Sequence, residues 1–179
     1  MKNADSFYSN KVQTNLFNEI ETGTISVDSF LKLLQKETEN ASTNEVRNAW
    51  NAMLLDLPKE RIELLKKLKQ DFPIYLLSNT NSIHISEFRK KLGETKYQEF
   101  YNLFDKVYYS HEIGFRKPNK DAFQLILDEN NIKANEVLFI DDSPQHIEGA
   151  KKIGIICCHL KDGEDITTLF PDKVQSARH

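Results

Sequence analysis

The sequence predicts an α/β protein: a Rossmann-like parallel sheet with helices on both faces, preceded by a small all-helical part. Three observations lead there. Residues 1–57 carry helical periods only, whereas from Pro58 onward helical stretches alternate with short runs of continuous apolar residues. Apolar runs that are continuous rather than alternating suit strands covered on both faces, which is the condition of a parallel sheet. Finally, hydroxyl, lysine and carboxylate residues stand just after those runs, where open α/β sheets bind their ligands.

In the first part Val12, Leu16 and Ile20 recur every four residues, and Gly23 supplies a C-terminal stop. Ser26 reads as the N-cap of a helix with Phe30, Leu33 and Leu34 on one side. Asn40 and residues 42–44 break that pattern. Val46, Trp50, Met53 and Leu54 then form a third apolar stripe, which at helical spacing reads as core rather than as a cofactor contact.

Pro58 suits the first turn of a helix carrying Ile62, Leu65 and Leu68. Residues 73–77 predict a strand, 82–91 and 95–103 helices, and 106–109 a second strand. Asn119 caps a helix with Phe123, Ile126 and Leu127 turned inward. Residues 136–140 predict a strand, 144–152 a helix and 153–158 a last strand. The expected division is therefore a helical unit over 1–57 and an α/β core over 58–179.

A chain of 179 residues suits one domain, or one domain with a small insertion. The net charge of −3, with Lys and Arg spread along the chain, gives no nucleic-acid footprint. No apolar run reaches the length of a membrane span, and the N-terminal stretch is polar, unlike a signal peptide. Cys157 and Cys158 are neighbours on an expected strand, so they point to opposite faces and do not bridge. Buried thiols of this kind point to a reducing, cytoplasmic location.

Three short stretches carry chemistry. Asp141 and Asp142 end the apolar run 137–140. Adjacent carboxylates repel unless a cation is present, and hard oxygen ligands suit Mg²⁺. The ordinary reading is that Asp142 or Ser143 caps the helix starting at Pro144, and the two readings are compatible. Ser78-Asn79-Thr80 lies where a strand turns into a helix, a natural phosphate cradle or an ordinary capped turn. In Gly114-Phe115-Arg116-Lys117-Pro118, the proline disfavours helix at Lys117. Held there, Lys117 acts as a point charge for phosphate; a solvated loop lysine is the plainer alternative. Arg116 reads as structural or peripheral. His84, His111 and His146 lack a metal-ligand spacing and read as surface or helix residues. Each stretch is weak alone, but their order along one edge of one sheet is not.

In that order the stretches resemble the haloacid dehalogenase (HAD) superfamily, mostly Mg²⁺-dependent phosphatases. Residues 76–81, 114–118 and 139–150 are similar to its second, third and fourth motifs. The wording is near the subgroup that includes bacterial glucose-1-phosphate phosphatase and the N-terminal phosphatase domain of soluble epoxide hydrolase. Residues 1–57, with Phe17-Asn18-Glu19-Ile20-Glu21-Thr22-Gly23, resemble that subgroup's helical cap. The resemblance implies that Ser78 binds the phosphoryl group with help from the Asn79 backbone. It implies that Lys117 steadies phosphate and nucleophile. Asp142 would ligate Mg²⁺ directly, and Asp141 would act through a water or from behind it.

The family's first motif, Asp-x-Asp at the end of the first core strand, does not occur in these residues, and Asp5 has no strand before it. The resemblance therefore implies that the first core strand and the nucleophile are missing and that Mg²⁺ affinity is weak. The expectation is an N-terminally truncated copy of a phosphatase acting on a small phosphorylated metabolite, with no nucleic-acid or membrane partner. The alternative is a non-catalytic HAD-like binding or regulatory protein. An exposed sheet edge makes self-association a further expectation.

Overall fold

The computed structural model describes residues 15–38 and 40–171; Asp5 and Val12 lie outside them. The first elements among the described residues are three helices, α1 (Asn15–Glu21), α2 (Val27–Lys36) and α3 (Thr43–Asn51). Their starts are fixed locally. The Ser26 hydroxyl accepts from the Ser29 N–H at the head of α2. Ser42 and Glu45 satisfy each other's backbone N–H in a capping box at the head of α3.

These helices close on one aromatic cluster. Phe17 stacks on Trp50 at 5.2 Å, and Phe30 meets the same indole edge-on at 4.9 Å. Ile20, Leu31 and Val46 complete the cluster, and Ile83 joins it from the α/β part. The expected apolar face of α2 is corrected here. Phe30 and Leu31 are buried, while Leu33 is 40 % exposed. The buried side runs through positions 30, 31 and 34, which leaves 33 on the far shoulder of the stripe.

The α/β part follows: α4 (Lys59–Leu68), β1 (Tyr75–Ser78), α5 (Ser82–Leu92), α6 (Glu94–Tyr101), β2 (Lys106–Tyr109), α7 (Ser110–Ile113), α8 (Lys120–Asn130), β3 (Leu138–Asp141), α9 (Pro144–Lys151) and β4 (Ile156–His159), with 3-10 turns at Ala134–Glu136 and Ile166–Leu169. In α4 the buried residue is Leu64, not one of the expected three, which are half-buried.

Strand β2 has its expected bounds, but the others start later than the apolar runs, for three local reasons. The Ile74 N–H is taken by the Asp105 side chain, so the first ladder opens at Tyr75. The 3-10 turn absorbs Glu136, whose carboxylate accepts from the Lys133 N–H, so β3 opens at Leu138. After α9 the chain wraps through Gly154 at φ +88, with Ile153, Gly154 and Ile155 all donating back to helix carbonyls, so β4 opens at Ile156.

Strands β1 and β2 pair in parallel, as do β3 and β4, giving two two-stranded sheets among the described residues. The expected single sheet is thus interrupted between β1 and β3, each of which keeps one edge without a strand partner. What joins the halves is side-chain packing. Leu77 of β1 and Phe139 of β3 both lie against the cluster of Phe123, Leu127, Ala150 and Ile155. Cys157 and Cys158 are free thiols. No helix among the described residues is long and apolar enough to cross a membrane.

Candidate functional site

Ser78 ends β1 and Asp141 ends β3, so the interruption has a polar residue on each side at the carboxyl ends of the strands. Lys117 closes the space from above. It comes from the loop after α7, and its backbone is held at both ends by one side chain. Asn79 Nδ2 donates to the Lys117 carbonyl at 2.9 Å, and the Lys117 N–H donates to Asn79 Oδ1 at 2.9 Å. The ammonium of Lys117 donates to Asp141 Oδ2 at 2.7 Å, in a pair only 10 % and 8 % exposed. It also lies 5.5 Å from the Phe139 ring centre.

The other oxygen of Asp141, Oδ1, accepts from the Ser143 N–H at 2.9 Å and lies 2.9 Å from His146 Nδ1. An ionised carboxylate only accepts, so Nδ1 carries the imidazole proton. That leaves His146 Nε2 buried without a hydrogen-bond partner among the described residues. Burial pushes the Asp141 carboxyl up. The His146 hydrogen bond, the Lys117 ammonium and the Ser143 N–H together outweigh it and hold the group well below the usual carboxylate range.

Asp142 is exposed, and its carbonyl lies 3.1 Å from His159 Nε2. Beside Ser78 opens a mainly apolar cavity of about 230 Å³ lined by Leu54, Leu76, His84, Phe88 and Phe100. The loop below β1 is tied to β2 by buried Ser110, whose hydroxyl accepts from the Thr80 N–H and lies 3.0 Å from the Thr80 carbonyl.

The sequence-derived residues thus fall in two groups. Asn79, Lys117 and Asp141 form one hydrogen-bonded chain with Ser78 next to it, while Asp142 stands apart at the rim. His146 and His84 are helix residues, in α9 and α5, so of the two alternatives read from the sequence the helical one holds. His146 is 13 % exposed and packed on Asp141. Its signal in the sequence was its place in the first turn of the helix that follows the acid pair. His84 stacks on Trp50 at 5.2 Å, with Nε2 3.2 Å from the Trp50 carbonyl, and burial pushes its pKa down. The cap of α9 is different. Ser143 stands at the N-cap position without a side-chain cap bond, and Asp141 accepts its N–H instead.

As they stand, these residues do not hold a metal unaided. The carboxylate of Asp141 is committed to Lys117, His146 and Ser143. Among the described residues no three His, Cys, Asp or Glu side chains form a group that could hold an ion. One rim carboxylate, Asp142, suits Mg²⁺ only together with phosphate oxygens, water and a further carboxylate.

Comparison with known proteins places this arrangement. A curated relative, D-ribitol-5-phosphate phosphatase of Bacteroides thetaiotaomicron, is 26 % identical over 166 residues, covering 92 % of this chain and 81 % of its own. A HAD family enzyme of the same species, solved as an aspartate-to-alanine mutant with magnesium and inorganic phosphate, superposes with a TM-score of 0.84 at 30 % identity, over 95 % of this chain and 85 % of its own. A predicted HAD-like family hydrolase from Porphyromonas gingivalis superposes with a TM-score of 0.78 at 27 % identity, over 98 % and 84 % of the two chains. The family model for haloacid dehalogenase-like hydrolases matches residues 10–154. The fold, the order of the motifs and these matches agree, and the chain belongs to the haloacid dehalogenase-like hydrolase family.

Proposed function

We propose that this chain forms the body of a Mg²⁺-dependent phosphatase of small phosphate esters, working through an aspartyl-phosphate. One observation carries the proposal: Lys117, clamped by Asn79 and paired with Asp141, joins the carboxyl ends of β1 and β3, which share no ladder among the described residues. The nucleophilic aspartate would arrive on a strand seated in that interruption, from a segment outside the 179 residues. Residues 1–57 would then act as the cap over a core of 58–179, in the cytoplasm.

In this reading a phosphate lies at the carboxyl ends of β1 and β3. The Ser78 hydroxyl and the Asn79 N–H donate to its oxygens, and Lys117 places its charge between phosphate and nucleophile. The first aspartate of the Asp-x-Asp would attack phosphorus while the second protonates the departing ester oxygen, so that the alcohol leaves; the second would then take a proton from the water that cleaves the acyl phosphate, giving inorganic phosphate and the free aspartate. Asp141 orients the Lys117 ammonium, and His146 with the Ser143 N–H keeps Asp141 ionised. Bound at Asp142 and the strand's own carboxylates, Mg²⁺ would neutralise phosphate oxygens. The phosphatase named among the relatives, and the phosphate-bound HAD enzyme, support a small phosphorylated metabolite as substrate.

The test has two steps. The in-frame DNA upstream of the Met1 codon is sequenced; an apolar run followed by Asp-x-Asp is expected. The protein carrying that segment is then assayed for EDTA-sensitive release of inorganic phosphate from pentitol and other small phosphate esters. Release from at least one ester is expected. No release from any, or an upstream stop codon, overturns the proposal and leaves the non-catalytic binding reading.

A further inference from the structure

We infer that Glu21 and Arg116 form a latch through which helix α1 sets the position of Lys117, making Arg116 a positioning residue for the site. Arg116 is the residue before Lys117, yet its guanidinium turns away from the site and into the helical part. Its Nε lies 2.8 Å from Glu21 Oε2, in a pair whose side chains are 12 % and 3 % exposed. Its Nη1 donates to Asn18 Oδ1, one turn earlier on the same helix. The guanidinium thus holds Asn18 by a hydrogen bond and Glu21 by charge, its Nε not being aligned for a hydrogen bond to Oε2, and a lysine at this position has no fork to reach both.

The same helix meets the α/β part at a second point. Gly23, just past α1 at φ +70, lies so near the His111 carbonyl that an added Cβ would stand 2.4 Å from it. The two contacts flank the segment from α7 to Lys117. On the other side Pro118 rests on α9, where a Cβ at Gly149 would stand 2.5 Å from the Pro118 carbonyl. Three consecutive residues are therefore tied to three elements: Arg116 to α1, Lys117 to the end of β1, and Pro118 to α9.

The ammonium of Lys117 meets Asp141 at 2.7 Å only while all three ties hold. Loss of Glu21 leaves a guanidinium in a nearly dry site, and a charge so placed draws its own loop toward water. The residue displaced with it is Lys117. The helical part thus does more than cover the site: it sets the geometry of the site's cation. The functional weight of the latch rests on the phosphatase reading; the latch itself rests on geometry alone.

The test is lysine-resolved reductive dimethylation of the full chain, read by mass spectrometry, with Lys106 as internal reference because it pairs with Glu129 on the surface. In Glu21→Gln the labelling rate of Lys117 relative to Lys106 is expected to rise about tenfold, through local opening of a protected group. Arg116→Lys, which keeps the charge and loses the fork, is expected to show the same direction and serves if Glu21→Gln does not fold. An unchanged ratio overturns the latch, and so does an equal rise at every lysine, since the pair would then serve global stability alone. A second arm adds inorganic phosphate and MgCl₂ to the unmodified chain carrying the proposed strand segment. Failure of phosphate to slow Lys117 labelling there counts against the phosphatase reading and leaves the latch standing. Slowing by phosphate with no response to Glu21→Gln does the reverse.

Discussion

The helical part and the α/β part meet at Arg116, His111 and the Trp50–His84 stack, and each is held together in a different way. Helices α1–α3 satisfy most backbone groups within themselves and converge on Trp50, with Phe17 and Phe30 in direct ring contact. Each strand has only four residues, and β1 and β3 each keep one unpaired edge. A strand borrows half its backbone satisfaction from a neighbour, so an interruption there must be bridged by side chains. Here the bridge is Asn79–Lys117–Asp141 above and Leu77 with Phe139 below. The part that closes on itself can be rigid without doing chemistry. The part that stays open sets its charged pair, Lys117 and Asp141, at the carboxyl ends of its strands.

The sharpest break in that contrast is expected at Trp50. Trp50→Ala empties the centre of the aromatic cluster and should cost about 4–5 kcal/mol, toward the upper end for a buried aromatic. Chemical denaturation followed by circular dichroism checks this. The half-sheets should survive a matching change less disturbed in helix content but more disturbed in function. Lys117→Met leaves Asp141 buried without its cation and should cost about 3 kcal/mol. A loss below about 1 kcal/mol would show that the two half-sheets do not depend on this pair.

Acidification tests the same bridge with less force. The Asp141 carboxyl is held well below its ordinary value, so its contribution is present above the unfolded-state value of about 3.9. It is lost as pH falls from there through the folded value. Stability should therefore decline below about pH 4, more steeply than in Asp141→Asn, where this group no longer titrates. Denaturant midpoints of both proteins between pH 6 and pH 3, as a series of about six steps, settle the sign. Equal slopes would mean that other carboxylates dominate.

The same contrast explains what was legible in the sequence. Caps at Ser26 and Asn119 are local events, and the helices they begin are where the spacing puts them; Ser42, read only as part of a break in the pattern, caps α3 as well. The strand over Lys106–Tyr109 was legible because its apolar run coincides with its ladder. The late starts of the others were not, since they depend on Asp105 reaching Ile74 and on helix-end wrapping at Gly154. In the site, Ser78, Asn79, Lys117 and Asp141 stand out by position after apolar runs. His146 and the Glu21–Arg116 pair do not, because their meaning lies in partners that only folding brings together. Histidine in a first helical turn and glutamate at a helix end are ordinary residues until those partners are known.

The smallest expected effect concerns the outer rim of the β3–β4 pair. Leu138 and Ile156 are register partners and are 52 % and 55 % exposed. Two adjacent apolar side chains on a strand pair favour self-association over a wet surface. Neither is packed, so replacing each with lysine should change monomer stability by no more than about 0.5 kcal/mol. Sedimentation velocity across a concentration series is the informative measurement. If the wild-type chain associates and the double lysine variant does not, the rim is a contact surface of the interrupted sheet. If both associate equally, the contact lies elsewhere, and the unpaired strand edges compete for it with Leu55, which is 87 % exposed and lies between the helical part and α4.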